Sequence, residues 1–100
     1  MITAGSEQEA VRIARALLEE RTVACANLIE PIRSLYRWKD EICDDREVLL
    51  LCKSRRHLFE RICKTVTSLH SYDVPEIVAL PFVEGHPPYL QWIGDETLDL

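Results

Sequence analysis

Residues 70–76 read His-Ser-Tyr-Asp-Val-Pro-Glu, placing an imidazole, a phenol and two carboxylates within seven positions. Pro75 fixes its own φ and pushes Val74 into an extended conformation, so the loop is stiff. It runs directly into the apolar stretch Ile77-Val78-Ala79-Leu80. Two readings fit: a metal or small-ligand site, and an interface between chains. Copper and zinc select imidazole and thiolate. His70 is therefore the first candidate ligand, and Cys25 is a soft partner if assembly brings it near. Asp73 and Glu76 can add oxygen ligands or accept hydrogen bonds from backbone amides in the loop. The competing role for His70 is to cap the end of a helix, where a donor or cation is favoured. His57 and His86 stand alone, without a neighbouring polar loop.

Composition removes several function classes. One hundred residues, 47% of them hydrophobic, are enough for one domain with a real core, spanning 1–100. No apolar run approaches the roughly 20 residues that cross a bilayer. The first residues lack the basic-then-apolar pattern of a secretion signal. The expectation is a cytoplasmic protein with no membrane partner. Net charge is −5, and no Lys or Arg occurs between positions 65 and 100. The basic residues Lys53, Arg55, Arg56, Arg61 and Lys64 form either a phosphate patch or a solvated helix face. The acidic whole argues against nucleic acid as a partner. The four cysteines, Cys25, Cys43, Cys52 and Cys63, form no C-x-x-C pair, which excludes zinc-ribbon and thioredoxin-type chemistry. Cys52 and Cys63 lie in apolar patterns and read as small hydrophobes.

The elements that must position these groups follow from periodicity. Residues 1–4 form a short strand in which Ile2 should be buried. Ser6 and Glu9 make a capping box, and Ala10, Ile13, Ala14, Leu17 and Leu18 give helical spacing over 7–20. Residues 23–38 are long and extended, with Pro31 marking a bend or bulge. Lys39-Asp40 is a tight turn, and 41–53 return as a strand with a bulge expected at Asp44-Asp45. Ser54 should cap a second helix whose apolar stripe is Leu58, Phe59, Ile62, Cys63, Val66 and Leu69, ending near His70. Residues 76–83 read as a strand interrupted by Pro81. Pro87 and Pro88 open a short last helix that Gly94 should end. The order is βαββαβ plus a helix. The expected fold class is α+β, ferredoxin-like, with two helices on one face of an antiparallel sheet and a long central hairpin.

That hairpin is too long for its domain. Sixteen strand residues span roughly 50 Å, whereas a domain of this size is only about 35 Å across. An overhang bearing Leu35, Tyr36 and Trp38 exposes apolar surface and open edges. Pairing with identical chains is the simplest cover. Tyr89 and Trp92 read as further interface aromatics.

The stretches Ala24-Cys25-Ala26-Asn27-Leu28-Ile29, Ser34-Leu35-Tyr36-Arg37-Trp38-Lys39, positions 47–53, the 70–76 loop and Tyr89-Leu90-x-Trp92 together resemble the CutA divalent-cation tolerance proteins. The resemblance covers nearly the whole chain. It implies a ferredoxin-like subunit in a tight homotrimer like that of the PII nitrogen-regulatory proteins, a link to copper and other divalent metals, and no enzymatic reaction. The chain departs from the family in three places. Its first strand is short, with Gly5 where Pro is common. Ile2 stands where some members carry a copper-binding Cys. Leu69-His70 stands where some have two His.

The expected function is therefore a non-enzymatic homotrimer in copper or divalent-cation tolerance that binds metal weakly, through His70 and Cys25. The alternative is a trimeric small-molecule sensor whose clefts between subunits are lined by Lys53, Trp38, Tyr72 and Glu76. A metallochaperone of the same topology would need cysteines in its first loop, and an RNA-recognition motif would need aromatics on its third strand. Residues 3–8 contain no cysteine, and residues 47–52 contain no aromatic.

Overall fold

A computed structural model describes residues 1–99. Three strands, β1 (Ile2–Ala4), β2 (Cys25–Trp38) and β3 (Glu41–Lys53), form one antiparallel sheet in the order β1-β3-β2. Helices α1 (Glu7–Glu19), α2 (Phe59–Leu69) and α3 (Pro87–Glu96) complete the fold. The protein is a small α+β structure in which β3 is central.

Side chains alternate across a strand, and one face carries the core. Ile2 lies opposite Leu50, and Leu50 opposite Leu28. Ala4 faces Val48, and Ala26 faces Cys52. Helix α1 contributes Ala10, Ile13, Ala14 and Leu17 to the same cluster, and α2 contributes Ile62 and Val66. Ser6 caps α1 by accepting a hydrogen bond from Glu9 N at 3.2 Å. The helix ends in a Schellman motif: Arg21 N donates to Leu18 O and Thr22 N to Leu17 O. Arg21 takes the left-handed position, φ 60°, normally given to glycine.

The hairpin overhang is present. The longest dimension is 44 Å. Strand β1 covers only Val48, Leu49 and Leu50 of β3, so the part of the hairpin toward its turn is a two-stranded ribbon. Its turn is Lys39-Asp40, with φ values of 49° and 66°, the right hand of turn for a two-residue hairpin. In β2 a bulge falls at Glu30 and Pro31, between Ile29 and Ile32, and the Glu30-Pro31 peptide is cis.

Four expectations are corrected. Asp44 and Asp45 pair in regular register with Leu35 and Ser34, without a bulge. Each acid has its own partner: Arg33 holds Asp44 with two bonds at 2.7 and 2.9 Å, and the Tyr36 hydroxyl donates to Asp45. Ser54 does not cap α2. Its hydroxyl donates to Thr22 O at 2.5 Å, and the helix is entered through a 3-10 turn at Arg56–Leu58. Gly94 lies inside α3, which runs on to Glu96. Residues 76–83 form no strand of this sheet. Among the described residues they make only an Ile2–Ile77 bridge, with Val78 N donating to Met1 O at 3.0 Å and the Met1 amino group to Val78 O at 2.7 Å. Proline at 81 removes a ladder donor, and β1 is too short to pair further.

Leu50 is fully buried and pairs on both sides. Leu50→Ala is expected to lower unfolding free energy by about 2–5 kcal/mol, measured by urea denaturation.

Candidate functional site

The 70–76 loop is tied to the body by two buried carboxylates that sit far from it in sequence. Glu9, in the first turn of α1, is 7% exposed. Its Oε1 accepts from Ser71 N at 2.7 Å, and its Oε2 accepts from the Ser71 hydroxyl at 3.2 Å and Gly5 N at 3.4 Å. Burial alone would raise this carboxyl. The hydrogen bonds from Ser71, with smaller help from His70 and Gly5, hold it below its usual value. Glu47, on β3 and 8% exposed, accepts from the Tyr72 hydroxyl at 2.9 Å. Burial, and then that bond, push the Tyr72 phenol up to about 12. The same hydroxyl packs over Gly5, where an added Cβ would lie 3.1 Å from it. A bare glycine lets the loop approach this closely.

His70 ends α2, and both its ring nitrogens are engaged. Nε2 meets Thr3 O at 2.7 Å, and Nδ1 accepts from Tyr72 N at 3.1 Å. A carbonyl only accepts and an amide N–H only donates, so these two contacts match the tautomer with its hydrogen on Nε2. The imidazole packs against the Tyr72 ring, centroids 4.7 Å apart. To ligate a metal it would have to release the Tyr72 amide.

The remaining candidates are spread out. Cys25 is half-buried and faces Lys53 across the ladder. It lies four residues along and two strands across from Thr3, about 16 Å by sheet spacing. Lys53 donates to Asn27 Oδ1 and, at 3.4 Å, to Leu51 O. Trp38 is at the hairpin turn, opposite Glu41, about 40 Å along the strand from Lys53. Tyr72 sits between these extremes and Glu76 is exposed. Leu35, Tyr36, Trp38, Tyr89 and Trp92 are all exposed, and Tyr89 and Trp92 pack on each other at 5.6 Å. Burial raises the Cys52 thiol, as suits a small hydrophobe packed on the core. Among the described residues no three His, Cys, Asp or Glu side chains are grouped to hold a metal ion. The donors of one chain therefore do not fit a preformed metal centre. An open groove of about 290 Å³ lies beside Glu47, between Gly5, Ser6 and Glu7, the bulge at Glu30-Pro31, and Arg46.

Sequence reasoning missed Glu9 as a loop anchor and Glu47 altogether. Glu9 was legible only as a cap. Glu47 begins an apolar run, and a buried acid there demands a donor, but nothing local names Tyr72.

Residues 1–96 match the model of the CutA1 divalent ion tolerance protein family. The chain belongs to the CutA1 family. The divalent-cation tolerance protein CutA of Thermus thermophilus is 47% identical over 97 residues, covering 97% of this chain and 94% of that protein. Human protein CutA is 44% identical over 96 residues, but the chain spans only 54% of its length. Among solved structures, the Cut A1 protein of Thermus thermophilus superposes with a TM-score of 0.94 at 48% identity, covering 96% of this chain and 93% of that one. None of these CutA names is that of an enzyme. The expectation of a cytoplasmic location is overturned: family members include a CutA named chloroplastic in Arabidopsis thaliana and one titled periplasmic in Archaeoglobus fulgidus.

Glu9→Ala should cost about 1.5–3 kcal/mol at pH 7, because a buried charged acceptor of three hydrogen bonds is lost. The folded-state pKa of Glu9 is lowered, so its contribution is full above the usual value of 4.5 and disappears as pH falls through the lower folded value. Denaturant unfolding of both proteins should show their difference shrinking below pH 4.5.

Proposed function

We propose that the chain acts in divalent-cation tolerance as a non-enzymatic homotrimer of ferredoxin-like subunits. The observation that carries this reading is uncovered apolar surface. Leu35 is 64% exposed and Ile42 72% on an arm that reaches past the domain, while Leu80, Phe82 and Val83 lie bare in 76–83. Patches of this kind mark interfaces. Past Val78, whose backbone is bonded to Met1, residues 79–83 offer backbone for a strand of another chain, which would complete the βαββαβ pattern there. Trp38, Tyr36, Tyr89 and Trp92 belong to the same interface in this reading.

Metal binding, in this proposal, is weak and assembled from more than one chain. His70 serves through Nδ1 once the Tyr72 amide lets go, and Cys25 comes from a neighbouring subunit; copper is the metal that suits this pair. A second reading rests on the groove beside Glu47: a small ligand held at a cleft between subunits, with Tyr72, Glu76, Lys53 and Trp38 supplied by different chains.

Sedimentation equilibrium should give a trimer at micromolar concentration, and a monomer would sink the assembly. Leu35→Asp should shift the protein toward smaller species. In copper titration of the assembled protein, His70→Ala should abolish specific binding without changing oligomeric state. Unchanged affinity and stoichiometry would remove His70 from the ligand set.

A further inference from the structure

Given the assembly proposed above, we infer that its two uncovered surfaces fit each other and not themselves: the arginine-bearing face of the hairpin arm docks on the 76–84 segment of a second copy of this chain. Charge selects this contact as well as apolar area.

The ladder defines the face of the arm. Arg33 lies opposite Arg46, Leu35 opposite Asp44, and Arg37 opposite Ile42. Opposed residues share a face. On β3 it is the face of Val48 and Leu50, continued past the end of β1. It presents Leu35 and Ile42 among three arginines and a single acid. Like charges directly opposite in a ladder are unfavourable. Asp44 relieves Arg33 with two bonds. Arg37 and Arg46 have no ion-pair partner among the described residues.

The 76–84 segment has the opposite character. Val78, Leu80, Phe82 and Val83 are exposed there, between the exposed Glu76 and Glu84. No Lys or Arg occurs between positions 65 and 100. Arginine suits such a contact, because its weakly hydrated guanidinium tolerates apolar neighbours and grips a carboxylate through a planar fork.

One chain cannot bring the two surfaces together. Strand β1 runs toward the arm, from Leu50 to Val48. The Ile2–Ile77 bridge is antiparallel, so Val78 and the residues after it set out away from the arm. Pairing of like surfaces is disfavoured as well. Arm on arm would set Arg37 and Arg46 against other arginines, and segment on segment would set Glu76 and Glu84 against other acids. Arm on segment relieves both, and a head-to-tail contact of this kind can repeat around a closed ring.

Charge swapping tests the contact. Full-length protein is labelled in two colours, and subunit exchange between the pools is followed by energy transfer at about 0.1 M salt, where the screening length is about 10 Å. Arg37→Glu with Arg46→Glu, and separately Glu76→Arg with Glu84→Arg, should each speed exchange at least about tenfold. The variant carrying all four changes should return to within about threefold of the parent, because complementarity is restored with its sign inverted. Should a reversal prevent folding, Arg37→Gln with Arg46→Gln replaces it: parent exchange should quicken between about 0.1 and about 1 M salt, and exchange of the glutamine pair should change less. A trimeric parent whose exchange responds to neither reversal nor salt would overturn the inference and leave the assembly intact. A fourfold variant that exchanges as fast as the two pairs would overturn it too, by showing that the surfaces do not face each other. A parent that is monomeric by light scattering would remove the assembly itself.

Discussion

The pairing of β1 with Val48, Leu49 and Leu50 of β3 is the constraint on which the remaining structure depends. Those three residue pairs place Ile2 and Ala4 in the core, and they fix where Gly5 and Ser6 turn the chain into α1. They also set the position of Thr3 O, which holds His70, and of Met1, whose bonds to Val78 start the uncovered 76–83 segment. A strand so short contributes little ladder energy of its own. It is held because both its neighbours in space, the apolar face of α1 and the central strand, bury its side chains.

The polar loop is rigid for a different reason. Its stiffness at Pro75 is local, but its location is set by carboxylates that are shielded from solvent. An ionised acid buried without donors is costly, so Glu9 collects the Ser71 and Gly5 groups and Glu47 collects the Tyr72 hydroxyl. The loop's imidazole and phenol are spent on these contacts and on backbone partners. A group rich in ligand-type side chains is thus a structural fastening within one chain, which agrees with the absence of a grouped donor set among the described residues.

Membership in the CutA1 family rests on the whole chain, since the match runs from residue 1 to 96 and the superposition with the Thermus structure covers 96% of it. The family name speaks of divalent-cation tolerance and leaves the chemistry open. Within the chain, the excess of exposed apolar surface on the hairpin arm and on 76–83 contrasts with the well-satisfied interior, where no buried side-chain polar atom lacks a partner among the described residues. The unfinished part of the molecule is its surface.

Local pattern was enough for much of the fold. The helical stripe from Ala10 to Leu17, the short first strand with Ile2 inside, the bulge at Pro31 and the Lys39-Asp40 turn were all legible, because each depends on residues within a turn or two of one another. Family membership was legible too, since its motifs are contiguous. The errors share a cause. Asp44 and Asp45 look like a bulge in sequence because their partners, Arg33 and Tyr36, lie across the ladder. Ser54 looks like a cap because Thr22 O, which competes for its hydroxyl, is 32 residues away. Residues 76–83 have strand-forming side chains, but a strand needs a neighbour, and β1 offers only a single bridge. The sequence by itself determined which faces are apolar, where the chain turns and to which family it belongs. The tertiary structure alone decided which donor meets which buried carboxylate, and that His70 faces backbone at both nitrogens. Periodicity encodes a face, whereas a hydrogen bond is specified only when distant segments arrive within about 3 Å of each other.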